Sequence, residues 1–284
     1  MKGKNRFKKL YFLLFLIFII GAIFLWIFFS KPLPLFQGKL NLDWLKDNSV
    51  EKQASFQFAV VGDNHNNLEI YQKIIQRINQ DKMAFFVDLG DLTRVGASSE
   101  YYEAKRILDQ LKVPYYMTMG DHDKIGNGYD LWQQYFGPTY YSWDFKNGHF
   151  VILNDVVNEN GFSEEQLNWL ENDLSRTNKE VKIIFLHRPP RCPFAEPGDL
   201  GFTGPYSQER ITRFFNIAQR YRINKIFAGH LHNFLNYSVE GIPITVTGGG
   251  GGPIYHIPLI GKNRHHFLEI EIIGSQIEQK VIEL

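Results

Sequence analysis

Seven residues define the chemistry open to this chain: Asp63, His65, Asp91, Asp121, His187, His230 and His232. They stand in Gly62-Asp63-Asn64-His65, Gly90-Asp91, Gly120-Asp121-His122-Asp123, Leu186-His187 and Gly229-His230-Leu231-His232. Carboxylates and imidazoles together suit divalent cations of intermediate hardness, such as Mn, Fe, Co or Zn. Alone, Asp63 or Asp91 would read as a cap on the helix that follows it. Three histidine loops in the same chain turn the reading toward metal. His230 and His232 are two apart, a spacing that puts both side chains on one face of an extended segment.

Most of these residues follow a short apolar run, so each is predicted at a strand end. Phe56–Val61 leads to Asp63, and Leu68, Tyr71, Ile74, Ile75 and Ile78 then recur at helical spacing. Residues 84–87 lead to Asp91, followed by a helix marked by Tyr101, Ala104, Ile107, Leu108 and Leu111; residues 113–117 lead to Asp121. Residues 140–145 and 149–153 predict a hairpin around Lys146-Asn147-Gly148. Ser163 and Gln166 read as a capping box for a helix carrying Leu167, Leu170 and Leu174. Strands over 181–186 and 223–228 deliver His187 and His230, with a helix over 207–220 between them. The tail, 234–284, is expected to be an antiparallel layer, and the glycine run at 248–252 allows close backbone approach or flexibility. The fold class is α/β, a two-layered β-sandwich flanked by helices, with its site at the carboxyl ends of strands.

The first residues differ from the rest. Lys2, Lys4, Arg6, Lys8 and Lys9 precede an uncharged apolar run over 10–29. Such a run matches the hydrocarbon thickness, and Phe28-Phe29-Ser30-Lys31-Pro32 lacks a small-residue cleavage site. The expected organisation is a basic cytoplasmic tail at 1–9, a transmembrane anchor at 10–29, a tether at 30–54 and one catalytic domain at 55–284. A cleaved signal peptide is the alternative, and either reading places the domain outside the cytoplasm. The remaining 254 residues carry 26 Lys plus Arg against 30 Asp plus Glu, a formal charge of −4, so no nucleic-acid partner is expected. The single cysteine, Cys192, is read as a loop residue.

The order Asp-x-His, Gly-Asp, Gly-Asp-His-Asp, His, Gly-His-x-His resembles the calcineurin-like metallophosphoesterases over roughly residues 56–252. Tyr141-Ser142-Trp143-Asp144 and Leu167-x-Trp169-Leu170 add to that likeness. The resemblance implies two divalent ions: Asp63, His65 and His232 on one, Asp121, His187 and His230 on the other, and Asp91 bridging. It further implies attack of a metal-bound hydroxide on a phosphomonoester or phosphodiester, with His122 stabilising the transferring group or protonating the leaving oxygen and Asp123 orienting His122. Asp121 departs from the family, which usually has asparagine there. The added charge should strengthen ion binding and lower Lewis acidity. Asp88 is a candidate support for the site, and Arg94, Arg188 and Arg191 are candidates for binding phosphate. His149, His256, His265 and His266 are left outside the site. The competing reading is a noncatalytic scaffold of the same fold that keeps the metals and binds a partner or a lipid head group.

Overall fold

Apolar strands alternating with amphipathic helices set the architecture. The computed structural model describes residues 55–193, 206–255 and 264–284. The expected tail, anchor and tether at 1–54 lie outside the described residues, as does His256. Among the described residues no helix is long and apolar enough to cross a membrane.

In chain order the elements are β1 (Phe56–Val61), α1 (Leu68–Ile78), β2 (Met83–Asp88), α2 (Ser98–Leu108), β3 (Tyr115–Met117), α3 (Gly128–Phe136), β4 (Tyr141–Phe145), β5 (Gly148–Ile152), α4 (Glu164–Arg176), β6 (Val181–Phe185), α5 (Gln208–Arg220), β7 (Lys225–Ala228), β8 (Phe234–Val239), β9 (Ile242–Thr247), β10 (His266–Ile273) and β11 (Gln276–Glu283). One sheet has the order β11-β10-β1-β2-β3 and the other β4-β5-β6-β7-β9-β8. Within them β1, β2 and β3 run parallel, as do β5, β6, β7 and β9. Parallel strands present their carboxyl ends on one side, and the loops bearing the seven candidate ligands leave from those ends.

The period of two along each strand divides its side chains between two cores. Phe58, Val60, Phe85 and Val87 enter the core between the sheets with Trp143, Phe150 and Phe185, while Ala59, Val61 and Phe86 pack with Tyr71, Ile74, Tyr101 and Trp132 of α1 to α3. On the second sheet, Leu167 and Leu170 of α4 join Phe214 and Phe215 of α5 over Ile184 and Ile226. The inter-sheet core is aromatic: Phe58 and Phe85 stack at 4.7 Å, and Tyr116 and Trp143 at 3.7 Å. Offset and edge contacts of this kind add to what area burial alone contributes.

Two local expectations are corrected. The tail is not one antiparallel layer: β8 and β9 complete the second sheet, with β9 parallel to β7, whereas β10 and β11 extend the first beside β1. Leu268, Ile270 and Ile272 of β10 enter the inter-sheet core while Phe267 faces the helices, so this strand needs cover on both faces. Ser163 does cap α4 by accepting from Gln166 N at 3.1 Å, but Gln166 closes no capping box. Its amide pairs instead with the main chain of Asn154, 2.7 Å on both the donor and the acceptor side.

His149 is held outside the site. Its Nδ1 lies 2.7 Å from Asp144, its Nε2 lies 2.9 Å from Asp173, Ser142 Oγ donates to Asp173, and Lys179 Nζ stands 3.8 Å from Asp144. Burial opposes the imidazolium, yet the two carboxylates outweigh it and raise the pKa to about 9. A pKa raised by folding contributes stability in full below the unfolded value near 6.5 and loses it as pH rises through about 9. Between pH 6.5 and 9.5 this residue should cost the fold on the order of 2 kcal/mol, the half-exposed Asp144 being discounted. Urea melts of the wild type and His149→Gln at both pH values check it. Equal slopes in the two proteins would remove His149 as the cause.

Candidate metal centre

The ligand loops are fastened to one another through their main chains. Asp63 N donates to Gly90 O at 2.9 Å, His65 N to Asp91 O at 2.8 Å and Asn66 N to Leu92 O at 3.1 Å. Asp63, His65, Asn66, Asp91 and His230 take left-handed backbone, with φ of 64°, 50°, 57°, 53° and 67°. That conformation is unfavourable for residues with a Cβ and gathers where a fold holds side chains for function. The glycine run serves close approach: a Cβ on Gly248 would lie 2.7 Å from Asp63 Oδ2, and one on Gly252 would lie 2.9 Å from the His232 ring.

All seven candidates converge. Asp91 Oδ2 is 3.2 Å from His65 Nε2 and 3.4 Å from His187 Nε2, while its Oδ1 accepts from His122 N at 2.9 Å. His232 Nε2 is 3.0 Å from His65 Nε2 and 3.5 Å from Asp63 Oδ1. On the other side, Asp121 Oδ1 is 3.0 Å from His187 Nε2 and 3.1 Å from His230 Nδ1. Two groups emerge, Asp63-His65-Asp91-His232 and Asp91-Asp121-His187-His230, each with its donor atoms within 4.8 Å of one another. Asp91 is the residue common to both.

The donor set fits divalent cations. Ligand atoms about 2 Å from one ion stand roughly 3 to 3.5 Å from each other, the spacing found here. The imidazoles are oriented for it as well. His187 Nδ1 faces Leu89 O and His232 Nδ1 faces Pro253 O, both at 2.8 Å, an arrangement that turns each Nε2 toward the cluster. His230 Nε2 is buried and has no hydrogen-bond partner among the described residues.

The electrostatics show how closely these charges are packed. Burial raises the pKa of Asp63, and the charges of Asp91 and Asp121 add to that shift. Burial also works against Asp91 and Asp121, but neighbouring imidazoles hold both below the usual carboxylate range. Burial and the charge of His65 lower the pKa of His232 to about 4, so it is neutral at physiological pH, as an imidazole ligand must be.

His122 stands at the edge of this cluster, its ring centroid 4.5 Å from that of His65. Its expected orientation by Asp123 is corrected. His122 Nδ1 lies 2.6 Å from Arg94 O. Asp123 is fully buried and accepts from Thr93 N and Thr93 Oγ1, both at 2.8 Å, from Gly120 N at 2.9 Å and from Leu92 N at 3.3 Å. It ties the Asp91 loop to the Asp121 loop. Residues 121–127 form turns, and there the Asp123 carboxylate is directed to Thr93 and Gly120 while the His122 ring is directed to Arg94 O.

Asp88 supports the site from below: Tyr71 donates to it at 2.7 Å and Gly90 N at 3.0 Å, and burial raises its pKa to about 7. Three contributors were not read from the sequence. Asp155, just after β5, accepts from His187 N at 3.2 Å and Arg188 N at 2.8 Å, and also meets the Tyr206 hydroxyl. Its signal was the one that marked the ligands, an acid directly after a strand run, hidden behind the hairpin reading. Tyr206 and Tyr255 carried none. Tyr255 stacks on His232 at 4.6 Å with the rings 11° apart. Cys192 is buried in the α4 and α5 core and is no part of the centre.

Residues 56–234 match the family model for calcineurin-like phosphoesterases. A protein of Fibrobacter succinogenes named a probable cyclic nucleotide phosphodiesterase is 24% identical over 212 residues, 71% of this chain and 80% of that protein. One of Arcobacter nitrofigilis, named a probable glycerophosphodiester phosphodiesterase, is 28% identical over 145 residues, 44% of this chain and 51% of the other. Among solved structures, a dimetal phosphatase from Danio rerio superposes with a TM-score of 0.63 at 15% identity, covering 80% of this chain and 96% of that one.

Proposed function

The chain belongs to the calcineurin-like phosphoesterase family, and we propose that it is a hydrolase of phosphodiesters working at a dinuclear divalent metal centre. The observation that carries this reading is Asp91, held in common by two complete donor groups. Asp63, His65, Asp91 and His232 would hold one ion, and Asp91, Asp121, His187 and His230 the other. Bound there, two such ions supply Lewis acidity toward the phosphoryl oxygens and a lowered pKa for water.

The remaining work falls to the protein. With Nδ1 tied to Arg94 O, His122 has its Nε2 available to the substrate, where it would hold or donate a proton at the leaving oxygen. Asp123 keeps the Asp91 and Asp121 loops in register, so His122 stays beside the bridging carboxylate. Asp155 fixes the His187 main chain, and Tyr255 covers one face of His232. Preference for a diester is supported by the names of the Fibrobacter succinogenes and Arcobacter nitrofigilis relatives. The apolar run at 10–29 would anchor the enzyme, with 1–9 in the cytoplasm and the domain outside.

The full chain in detergent, supplied with Mn or Fe, should hydrolyse an aryl phosphate diester faster than the aryl monoester. Intact cells expressing it should hydrolyse the same diester when it cannot permeate. Metal uptake without turnover on either ester would favour the scaffold reading, and activity seen only after lysis would sink the outward orientation.

A further inference from the structure

Three arginines follow the ligand loops, and their surroundings separate them. Arg191 pairs with Glu240 and donates to Thr212 Oγ1 at 2.9 Å, so its guanidinium is engaged away from the centre. Arg94 is exposed and contributes its carbonyl to His122. Arg188 differs from both. It is only 9% exposed, its Nε lies 3.6 Å from Asp121 Oδ1, and that Nε has no hydrogen-bond partner among the described residues. A buried charged donor without a partner is unfavourable unless something else at the site satisfies it.

The backbone beneath Arg188 is fixed. Arg188 N donates to Asp155 at 2.8 Å, and the Tyr206 hydroxyl reaches both Asp155 and the Arg188 carbonyl, the latter at 2.9 Å. Asp155 also receives His187 N, so the main chains of Arg188 and of the candidate ligand His187 are fixed by one carboxylate. A second cation is near. Lys124 Nζ donates to Val156 O at 2.5 Å, and its pKa is lowered first by burial and then by the charge of Arg188. The charges of Asp121, Glu159 and Asp155 act on Lys124 in the opposite sense and partly compensate the pair, which leaves Arg188 Nε as the buried donor without a hydrogen-bond partner among the described residues.

We propose that Arg188, with Lys124 near it, is an anion subsite of the centre, taking a nonbridging phosphoryl oxygen of the substrate on the Asp121 side. This rests on the phosphohydrolase reading above. The guanidinium suits the task because its planar donors match phosphoryl oxygens, and the Asp155 and Tyr206 contacts hold the main chain from which it extends. The arrangement also gives the Asp121 charge a neighbour of opposite sign, so the subsite need not compete with that carboxylate for the substrate anion.

The test is calorimetric binding of inorganic phosphate to the full chain loaded with Mn, for the wild type, Arg188→Met, Arg188→Lys and Lys124→Met. Metal content, melting temperature and diester turnover are followed in parallel. Arg188→Met should weaken phosphate about tenfold to a hundredfold and raise KM more than it lowers kcat, with metal content unchanged. Arg188→Lys should recover part of the loss, and Lys124→Met should weaken phosphate severalfold. Unchanged phosphate affinity in Arg188→Met, or tighter metal binding with phosphate unaffected, would overturn the subsite and leave Arg188 as a counter-charge to Asp121 alone. Should Arg188→Met not fold, Arg188→Lys and Lys124→Met decide by the same criterion. Arg188-dependent phosphate binding in a wild type without turnover would keep the subsite and remove the hydrolase reading; turnover indifferent to Arg188 would do the reverse.

Discussion

Asp91→Ala is expected to abolish metal-dependent hydrolysis, lowering turnover on the order of a thousandfold or more. Shared charge stabilisation by two ions is worth several kcal/mol, and each 1.4 kcal/mol is a factor of ten in rate. Asp91 belongs to both donor groups, so its loss weakens both ion sites, whereas loss of His232 or His230 touches one. The fold should survive, because among the described residues the side chain supports one main-chain group, His122 N. Without metal the variant should melt somewhat lower than the wild type, since imidazoles hold Asp91 below the usual carboxylate range and that stability goes with it, while relief of repulsion on Asp63 and Asp121 offsets part of the loss. With Mn the wild type should gain stability in proportion to the logarithm of metal over its dissociation constant, and the variant should gain far less. Melting curves with and without Mn, beside diester assays, check both statements. A variant that keeps full activity would show that Asp91 does not bridge.

Within the loops of the candidate centre, Gly120→Ala should be the most damaging small substitution. A Cβ there would stand 2.1 Å from Asp91 N, 2.2 Å from Asp91 Oδ1 and 2.8 Å from Asp91 Cα. Main chain cannot swing aside as a flexible side chain can, so the Asp121 loop and the Asp91 loop must part. Overpacking of this kind costs roughly 1 to 3 kcal/mol or more, about 3 to 10 °C in melting temperature for a domain of this size. The larger loss should be in function, because the shift moves Asp91, Asp121 and His122 together. Misplacement by about 1 Å costs on the order of a hundredfold in rate. Gly126→Ala is the matched control: its φ is +61°, but no atom lies within 4 Å of the added Cβ, so only backbone strain is introduced. If the two variants behaved alike, contact between the loops would not be what Gly120 protects.

The members of the two candidate donor groups were legible because each is announced locally. An apolar run of a few residues predicts a strand, and the Asp or His after it falls at the strand end, where an open sheet forms its sites. The helices at 68–78, 164–176 and 208–220 were legible for the same reason, with Ser163 and Ser207 capping as their residue type predicts. Partnerships were not. The resemblance implied that Asp123 orients its neighbour His122, yet its partners are Thr93 on the preceding loop and Gly120, while His122 turns to Arg94. The Gln166 amide satisfied the capping-box pattern and is drawn instead to Asn154, twelve residues away, where a buried main-chain donor and acceptor need it.

The sequence by itself determined the kinds of residue in the site, their order, the family resemblance and the layered α/β class, since these follow from residue type and from the two periods of the chain. Tertiary structure decided which of three arginines lies against Asp121, that Asp155 and Tyr206 support it, that Tyr255 covers His232, and that the tail divides between the two sheets. The physical reason is separation. Arg188 and Asp121 are brought together by strands from different sheets, and the unfavourable burial of an unpaired polar group is felt only once those sheets have packed.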